Sequence, residues 1–188
     1  MSRRRRPGQR AGLGRDEVLA AALAIVEADG VGALTMRSLA ARLGVAPNAL
    51  YSHFADKQAL LDGVLDELLG DISIPDVERV PWRAGLVALM TASRRLVADH
   101  AALIPLYLSR PGIGPNAQRL GAASLALLAR GGVSGAAAGE ALQILLIYSL
   151  GFAAHEAPRR TRPPARGKHP DDATFATGLG WLIDGLSR

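Results

Sequence analysis

TMRSLAARLGVAPNALYSHFADK, residues 35–57, decides how the rest of the chain is interpreted, because it reads as two short helices joined by a tight turn. Thr35 can cap the first helix through its hydroxyl, and Gly44 suits the left-handed residue that follows that helix. Pro47 fits the first position of the second helix, where a missing backbone N–H is tolerated. We therefore predict a helix-turn-helix whose second helix spans Pro47 to His53.

The spacing of Ala40, Gly44 and Leu50 along the chain favours a steep crossing of these two helices. Ala40 is small where the helices would touch, Gly44 lets the chain turn, and Leu50 would fill the gap between them. The outer surface is then left to Asn48, Ala49 and Ser52. Helical hairpins in ordinary bundles share this pattern, so the motif by itself leaves DNA binding and plain packing both open.

Helical patterns on both sides predict an all-α chain. A helix that starts after Gly14 and ends at Gly30 completes a three-helix head, and Asp56 can cap a connecting helix that runs to about Leu69. A larger helical domain follows, with predicted helices at 82–99, 116–130, 135–155 and 172–186 and a shorter apolar piece at 101–108. We divide the chain into a disordered basic arm (1–13), a helix-turn-helix domain (14–57) and a second domain (58–188) with a mobile loop at 158–170.

The positive charge is concentrated near the predicted head. The chain carries a net charge of +5, and residues 1–57 hold nine Lys or Arg against five Asp or Glu. The remaining residues are nearly balanced, with thirteen against twelve. A polyanion-binding head requires such an asymmetry, although an arginine-rich N-terminus can also be only a solvated tail.

Composition excludes several other classes of protein. The chain has 188 residues, is 49% hydrophobic and contains no cysteine, so it can bury a core but can form neither a disulfide nor a thiolate metal site. We expect a cytoplasmic protein. The longest apolar run, residues 141–154, is shorter than the roughly 20 residues needed to span a bilayer, and no signal peptide precedes the polyarginine start.

Two features predict self-association. The helix at 135–155 is apolar on nearly every side between Leu142 and Phe152, so we expect one side to face a second copy. Gly178 and Gly185 lie on one line of the last helix, which favours close approach to another helix. The abundance of glycine throughout the chain is the alternative explanation.

With these residues in view, the chain resembles the TetR (tetracycline repressor-like) family of bacterial transcriptional regulators. The similarity is most specific at 16–69, through LTMRSLAARLGV and ALYSHFADKQALLD. It continues more weakly through Trp82, the Arg110–Pro111 loop and FATGLGWLIDGL, which are similar to the C-terminal domain of the tetracycline-repressor branch. The resemblance implies an all-helical homodimer whose last two long helices, here near 135–155 and 172–186, form the interface.

The resemblance also implies roles for nine residues in binding double-stranded DNA. Arg37 would contact a base, which suits its planar fork. Base reading would fall to the turn formed by Pro47, Asn48 and Ala49, and phosphate contacts to Thr35, Tyr51, His53 and Lys57. Ser52 completes the predicted DNA-binding set. Ala49 and Ser52 depart from residues common in the family, so we expect a different operator sequence. Packing of Tyr51 and helix capping by His53 remain alternatives.

The expected effector is a small apolar molecule rather than a metal chelate. The positions that hold magnesium and drug in the tetracycline repressor correspond to Ser73, Leu89 and Leu106, so no metal or cofactor is expected. We predict an apolar pocket lined by Trp82, Met90, Ser93, Tyr107, Gln143 and Tyr148, for each of which core packing is an alternative.

The sequence therefore favours a ligand-responsive repressor that binds a palindromic operator as a homodimer. A constitutive or architectural DNA-binding protein without an effector is the alternative. An enzyme is not expected: His155 lies next to Glu156, and because adjacent helical residues point about 100° apart, the two side chains do not converge.

Overall fold

The computed structural model describes residues 13–109, 114–157 and 172–186, and these residues contain helices and no strand, as expected for an all-α chain. The predicted arm, apart from Leu13, and the predicted loop at 158–170 lie outside the described residues. The chain divides into two compact units, Met1–Val64 and Leu65–Arg188.

The first unit contains three helices and the start of a fourth: α1 (Arg15–Asp29), α2 (Met36–Leu43), α3 (Pro47–Tyr51) and α4 (Lys57–Gly70). Its core is built from apolar residues of all four helices together with Leu34 and Phe54. This unit extends beyond the predicted boundary at Lys57, because Leu60, Leu61 and Val64 of α4 are also buried.

Helix α3 is shorter than predicted, since it ends at Tyr51 rather than at His53. The carbonyl oxygen of Leu50 accepts hydrogen bonds from the N–H groups of both His53 and Phe54, each at 3.0 Å. This tightening turns the chain so that Phe54 is buried in the core. Burial of Phe54 is a tertiary effect that overrides the helical pattern.

The second unit is organised around α5 (Trp82–Asp99), which packs against α7, α8 and α9. The other helices are α6 (Ile104–Ser109), α7 (Pro115–Arg130), α8 (Gly135–Glu156) and α9 (Asp172–Gly185). A continuous apolar core joins these helices through residues such as Leu89, Leu127, Leu145 and Phe175.

Helix α8 is longer than its apolar run. Its 22 residues make it, among the described residues, the single helix that could cross a membrane by length and composition. Core helices of soluble proteins meet the same criterion, and α8 packs against α5 and α7 with its Glu156 buried. We expected the apolar run at 141–154 to be too short to span a bilayer. The helix that contains it is longer than the run, so that expectation was wrong about length.

Helix α9 buries Phe175, Leu179 and Ile183, whereas Leu182 and Leu186 are only partly buried. Gly178 and Gly185, which we predicted to lie close to another helix, differ in their surroundings. A Cβ at Gly178 would overlap the hydroxyl of Tyr148, whereas a Cβ at Gly185 would have nothing within 4 Å. Close approach is therefore observed at Gly178, where it involves α8 of the same chain.

Candidate nucleic-acid interface and regulatory domain

The start of α2 is held by a reciprocal capping box. Thr35 Oγ1 accepts a hydrogen bond from the N–H of Ser38, and Ser38 Oγ accepts one from the N–H of Thr35, both at 2.9 Å. Ser38 Oγ also lies 2.9 Å from the carbonyl oxygen of Ala33, to which it can donate. The predicted cap at Thr35 is confirmed, and Ser38, which the sequence interpretation missed, completes it.

The turn between α2 and α3 has the geometry that the glycine predicted. Gly44 has φ 65° and ψ 34°, which is the left-handed region. The N–H of Val45 then returns to the carbonyl oxygen of Ala40 at 3.0 Å. Ala40 and Leu50 are buried between the helices, so the helical hairpin is rigid at its inner face.

The predicted DNA-contacting residues lie around α2, α3 and the start of α4, mostly at the surface. Exposed positions are Thr35, Arg37, Pro47, Asn48, Tyr51 and Ser52, and half-buried positions are Ala49, His53 and Lys57. Tyr51 is 52% exposed, so packing under the motif does not account for it. Arg37 has no hydrogen bond or ion pair within the described part of the chain, which leaves its donors available.

Lys57 has a role inside the protein that its position in the sequence did not indicate. Its Nζ donates a hydrogen bond to the carbonyl oxygen of Val31 at 3.0 Å. Val31 opens the short 3₁₀ turn Val31–Ala33 after α1, so Lys57 ties the start of α4 to the end of α1. Because an ammonium group has three donors, this contact still leaves hydrogens for a phosphate.

The net positive charge of residues 1–57 lies in the first twelve residues. Residues 1–12 contain five arginines and no acid, whereas residues 13–57 contain four Lys or Arg and five Asp or Glu. The described helix-turn-helix therefore has a small negative balance of its own. The net positive charge of residues 1–57 therefore comes from the arginines of residues 1–12.

The six predicted pocket residues occupy different environments in the second unit. Met90 and Tyr107 are buried, Trp82, Ser93 and Tyr148 are half-buried, and Gln143 is exposed. Trp82 packs beside Gly131, where a Cβ would approach the indole to 2.8 Å. Of the six, Tyr148 is the residue that lines the open groove described next.

An apolar groove of about 620 Å³ runs between α8 and α9. It is lined by Tyr148, Ala173, Thr174, Thr177, Gly178, Trp181 and Leu182. The hydroxyl of Tyr148 donates to the carbonyl oxygen of Phe175 at 3.1 Å, a bond for which Gly178 leaves the room. Burial raises the pKa of Tyr148, and the charge of Arg94 partly offsets that rise.

Tyr107 on α6 is the clearest buried polar group of this unit. Its side chain is 8% exposed, and its hydroxyl has no hydrogen-bond partner among the described residues. Burial raises the pKa of this phenol well above its usual value, because the ionised form would be desolvated. A buried donor of this kind is suited to a ligand oxygen.

A charged cluster joins α5 to the end of α8 and to the start of α9. The guanidinium of Arg94, which is fully buried, bonds to Glu156 and Asp172, and Arg95 also bonds to Asp172. Arg94 also lies over the ring of Phe175, 4.6 Å from its centre. Glu156 is buried here while His155 is exposed, so the two do not converge on one site.

The second unit offers no acidic or histidine cluster for a metal ion among its described residues. The positions that the resemblance matches to the magnesium-drug site carry Ser73, which is exposed, and Leu89 and Leu106, which are buried and apolar. The two leucine side chains have no atom that can coordinate a magnesium ion.

Comparison with known proteins covers both units. The family described as "Bacterial regulatory proteins, tetR family" matches residues 18–64, and "Tetracyclin repressor-like, C-terminal domain" matches residues 74–170. An HTH-type transcriptional regulator from Saccharopolyspora erythraea is 32% identical, over 93% of this chain and 85% of its own length.

Solved structures agree with the fold over nearly the whole chain. ActR from Streptomyces coelicolor, in complex with actinorhodin, has a TM-score of 0.81 at 26% identity and covers 94% of this chain and 97% of its own. BioQ from Mycobacterium smegmatis, with its double-stranded DNA operator, has a TM-score of 0.72 at 32% identity and covers 93% of this chain and 98% of its own.

Two family matches that together span most of the chain, a relative at this identity, and an exposed helix-turn-helix lead to one conclusion. The chain belongs to the TetR family of bacterial transcriptional regulators, and its first unit is a DNA-binding helix-turn-helix domain.

Proposed function

We propose that the protein is a ligand-responsive repressor that binds a palindromic operator in the cytoplasm as a homodimer. The observation that carries this proposal is the division of the α2–α3 hairpin into two faces. Its inner face is locked by Ala40 and Leu50, while Arg37, Asn48 and Tyr51 project from the outer face. A rigid support with exposed polar side chains is what base reading requires.

In this proposal α3 enters the major groove and Arg37 of α2 reaches a guanine. Arg37 can bond guanine O6 and N7 together through its planar fork. Tyr51, His53 and Lys57 would hold phosphates and fix the register, which carries no sequence information by itself. The structure of BioQ with its double-stranded DNA operator supports double-stranded DNA as the partner.

The homodimer would form through α8 and α9. Large apolar side chains are exposed on these helices, namely Ile144, Leu146 and Ile147 on α8 and Trp181 on α9. Trp181 is 74% exposed beside the apolar groove, and a monomer rarely leaves such a surface in water. A second copy would cover it and place the two α3 helices about 34 to 36 Å apart, in successive major grooves.

The effector would be a small apolar molecule bound in the second unit, with the hydroxyl of Tyr107 as one polar partner. Support comes from ActR, whose structure contains actinorhodin. Binding would act on α4, the helix that begins in the first unit and ends in the second. A coupling of roughly 1 to 3 kcal/mol, typical of allosteric proteins, would change DNA affinity about 5- to 150-fold.

A constitutive DNA-binding protein without an effector is the second candidate. It is favoured by the dispersal of the six predicted pocket residues, since Met90 lies in the packed core and Gln143 at the surface. On this view the apolar helices of the second unit serve as core and dimer interface alone.

Selection of DNA from a random duplex pool by the purified protein tests the proposal. We expect an enriched palindrome whose half-sites are centred about one helical turn apart. Arg37→Ala should cost about 1 to 3 kcal/mol at one base pair of each half-site and relax the sequence preference there. Arg42→Ala, which removes an equal charge from an exposed position of α2, is the matched control. Equal discrimination by the Arg37 variant and the wild type would contradict the assignment.

Release of the labelled palindrome separates the two candidates. Fluorescence polarisation of the DNA–protein complex is followed while a library of small apolar compounds is added. A compound that lowers DNA affinity in the wild type, and less so in Tyr107→Phe, supports the ligand-responsive repressor. Affinity that stays constant across the library and across cell extracts supports the constitutive binder.

A further inference from the structure

Arg15, the first residue of α1, contacts the residues that follow α3. Its guanidinium carbon lies 4.3 Å from the centre of the Phe54 ring, and its Nη1 lies 3.4 Å from the carbonyl oxygen of His53. The hydrogen bond is long and therefore weak, so the stacking of the guanidinium on the ring is the main contact.

The Phe54 ring is held from several directions. The N–H of Phe54 donates to the carbonyl oxygen of Leu50, which anchors it to the end of α3. On the other side, a Cβ at Gly63 of α4 would approach Phe54 Cε1 to 2.9 Å and Arg15 Nη2 to 3.3 Å. The start of α1, the end of α3 and α4 therefore meet at the ring, with Arg15 as its polar cover.

Helix α3 needs this support more than a longer helix would. It has five residues, and Ser52 at its end donates its hydroxyl back to the carbonyl oxygen of Ala49 instead of contacting another helix. A helix this short has little stability of its own, so its orientation depends on tertiary contacts. Leu50 fixes its inner side, and the Phe54–Arg15 contact fixes its C-terminal end.

We propose that Arg15 is a positioning residue for operator recognition, which acts by stacking on Phe54 and holding the C-terminal end of α3. This inference rests on the proposed use of α3 as the reading helix. Without the stack, Tyr51 and His53 sample more orientations, and sequence-specific contacts suffer more than general attraction to DNA. The competing role is a direct phosphate contact, because Arg15 is exposed and retains free donors.

The two roles differ in three measurable ways. A phosphate contact contributes about 0.9 to the slope of log K against log salt for each subunit, whereas a positioning contact leaves that slope unchanged. A phosphate contact weakens specific and non-specific binding alike. Lysine can replace arginine at a phosphate, whereas over a ring it keeps a cation–π contact but lacks the flat guanidinium, so it replaces arginine there only in part.

The experiment compares Arg15→Met, Arg15→Lys and the charge-matched control Arg42→Met with the wild type. Each full-length protein is titrated with the selected palindrome and with a scrambled duplex at several salt concentrations. Loss of an exposed cation–π contact predicts operator binding weaker by about 2- to 5-fold per subunit for Arg15→Met, and a smaller loss for Arg15→Lys, which keeps the charge over the ring. We also expect unchanged binding to the scrambled duplex, an unchanged salt slope, and faster hydrogen exchange at the His53 and Phe54 amides.

Full rescue by Arg15→Lys together with a lower salt slope for Arg15→Met would overturn the proposal in favour of a phosphate contact. Operator affinity and amide exchange that match the wild type in both variants would overturn it as well. Failure of the wild type to enrich any sequence would instead contradict the proposed function. In that case the amide-exchange comparison, which needs no DNA, still decides whether Arg15 holds the end of α3.

Discussion

The carboxylate of Asp66 on α4 caps the N-terminus of α7, through hydrogen bonds from the N–H of Asn116 at 3.3 Å and of Ala117 at 3.0 Å. The Asn116 side chain returns a bond from Nδ2 to the carbonyl oxygen of Asp66 at 3.0 Å. Gly114 is required beside this contact, because a Cβ there would overlap the carboxylate. Asp66 lies in the part of α4 that belongs to the second unit, so this contact holds the start of another helix of the same unit.

Loss of this cap should destabilise the second unit. We expect Asp66→Ala to lower the free energy of unfolding by about 2 kcal/mol, since two backbone donors at a helix start lose a charged acceptor. The corresponding fall in Tm is roughly 4 to 8 °C for a chain of this size. Glu67→Ala, at an exposed neighbouring position of α4, should change Tm little. Hydrogen exchange that stays slow in the first turn of α7 of the Asp66 variant would show that the cap is dispensable.

Removal of residues 1–12 should weaken DNA binding mainly through electrostatics. That segment carries five arginines, while residues 13–57 have one more acid than base. We expect the truncated protein to show a smaller salt slope and a lower affinity for scrambled and selected duplexes alike, with its base preference retained. The measurement is a titration at four salt concentrations, and an unchanged slope would mean that the arginines do not contact phosphates.

A charge on the exposed face of α9 should prevent dimerisation. Trp181→Arg places a cation in the apolar groove region, and symmetry would place two of them in one interface. We expect the dimer dissociation constant to rise roughly 100-fold, equivalent to about 2.7 kcal/mol. Sedimentation velocity measures the effect directly. Leu125→Arg, on the exposed face of α7, is the control, and an equal loss of dimer in that variant would place the interface elsewhere.

Features of the head that depend on local chemistry were predictable from the sequence. Thr35 as a cap, Gly44 in a left-handed turn and Pro47 at a helix start each follow from the chemistry of one residue and its neighbours. The end of α3 was not predictable in the same way, because it depends on burial of Phe54 by distant parts of the chain. The bond from Lys57 to Val31, which joins residues 26 positions apart, has no local signal.

The second unit was less predictable from the sequence, because its side-chain contacts also depend on distant parts of the chain. Helix boundaries such as Trp82–Asp99 follow from the pattern of apolar residues and from helix-breaking residues, and the structure confirms them. Which side chains line a cavity depends on how the helices rotate against each other. The buried face of α9 shows this, since Ile183 rather than Leu182 packs inward. Burial of Arg94 has no local signal either, because it depends on its partners Glu156 of α8 and Asp172 of α9.

Tyr107→Phe should stabilise the protein. The buried hydroxyl has no partner among the described residues, so its removal relieves a desolvation cost of about 1 kcal/mol at neutral pH. Burial raises the pKa of Tyr107 in the folded state. The wild type therefore has its full free energy of unfolding below about pH 10 and loses part of it as the pH rises toward the folded-state pKa. We therefore expect the variant to lose less stability than the wild type above pH 10. Urea unfolding between pH 7 and 11 measures both effects, with Tyr51→Phe as control, and a less stable variant at pH 7 would indicate a partner for the hydroxyl.

Arg94 and Glu156 should behave as a buried ion pair, so that removing one partner lowers the free energy of unfolding more than removing both. Arg94→Met leaves the buried Glu156 carboxylate without its guanidinium, and we expect a loss of about 3 to 5 kcal/mol in the free energy of unfolding. In the double variant Arg94→Met with Glu156→Leu no charge is stranded at that pair, so most of the loss should be recovered. Urea unfolding of the wild type, both single variants and the double variant gives the coupling energy. Additive losses would mean that the two side chains stabilise the fold independently, through their stacking and packing contacts rather than through their charges.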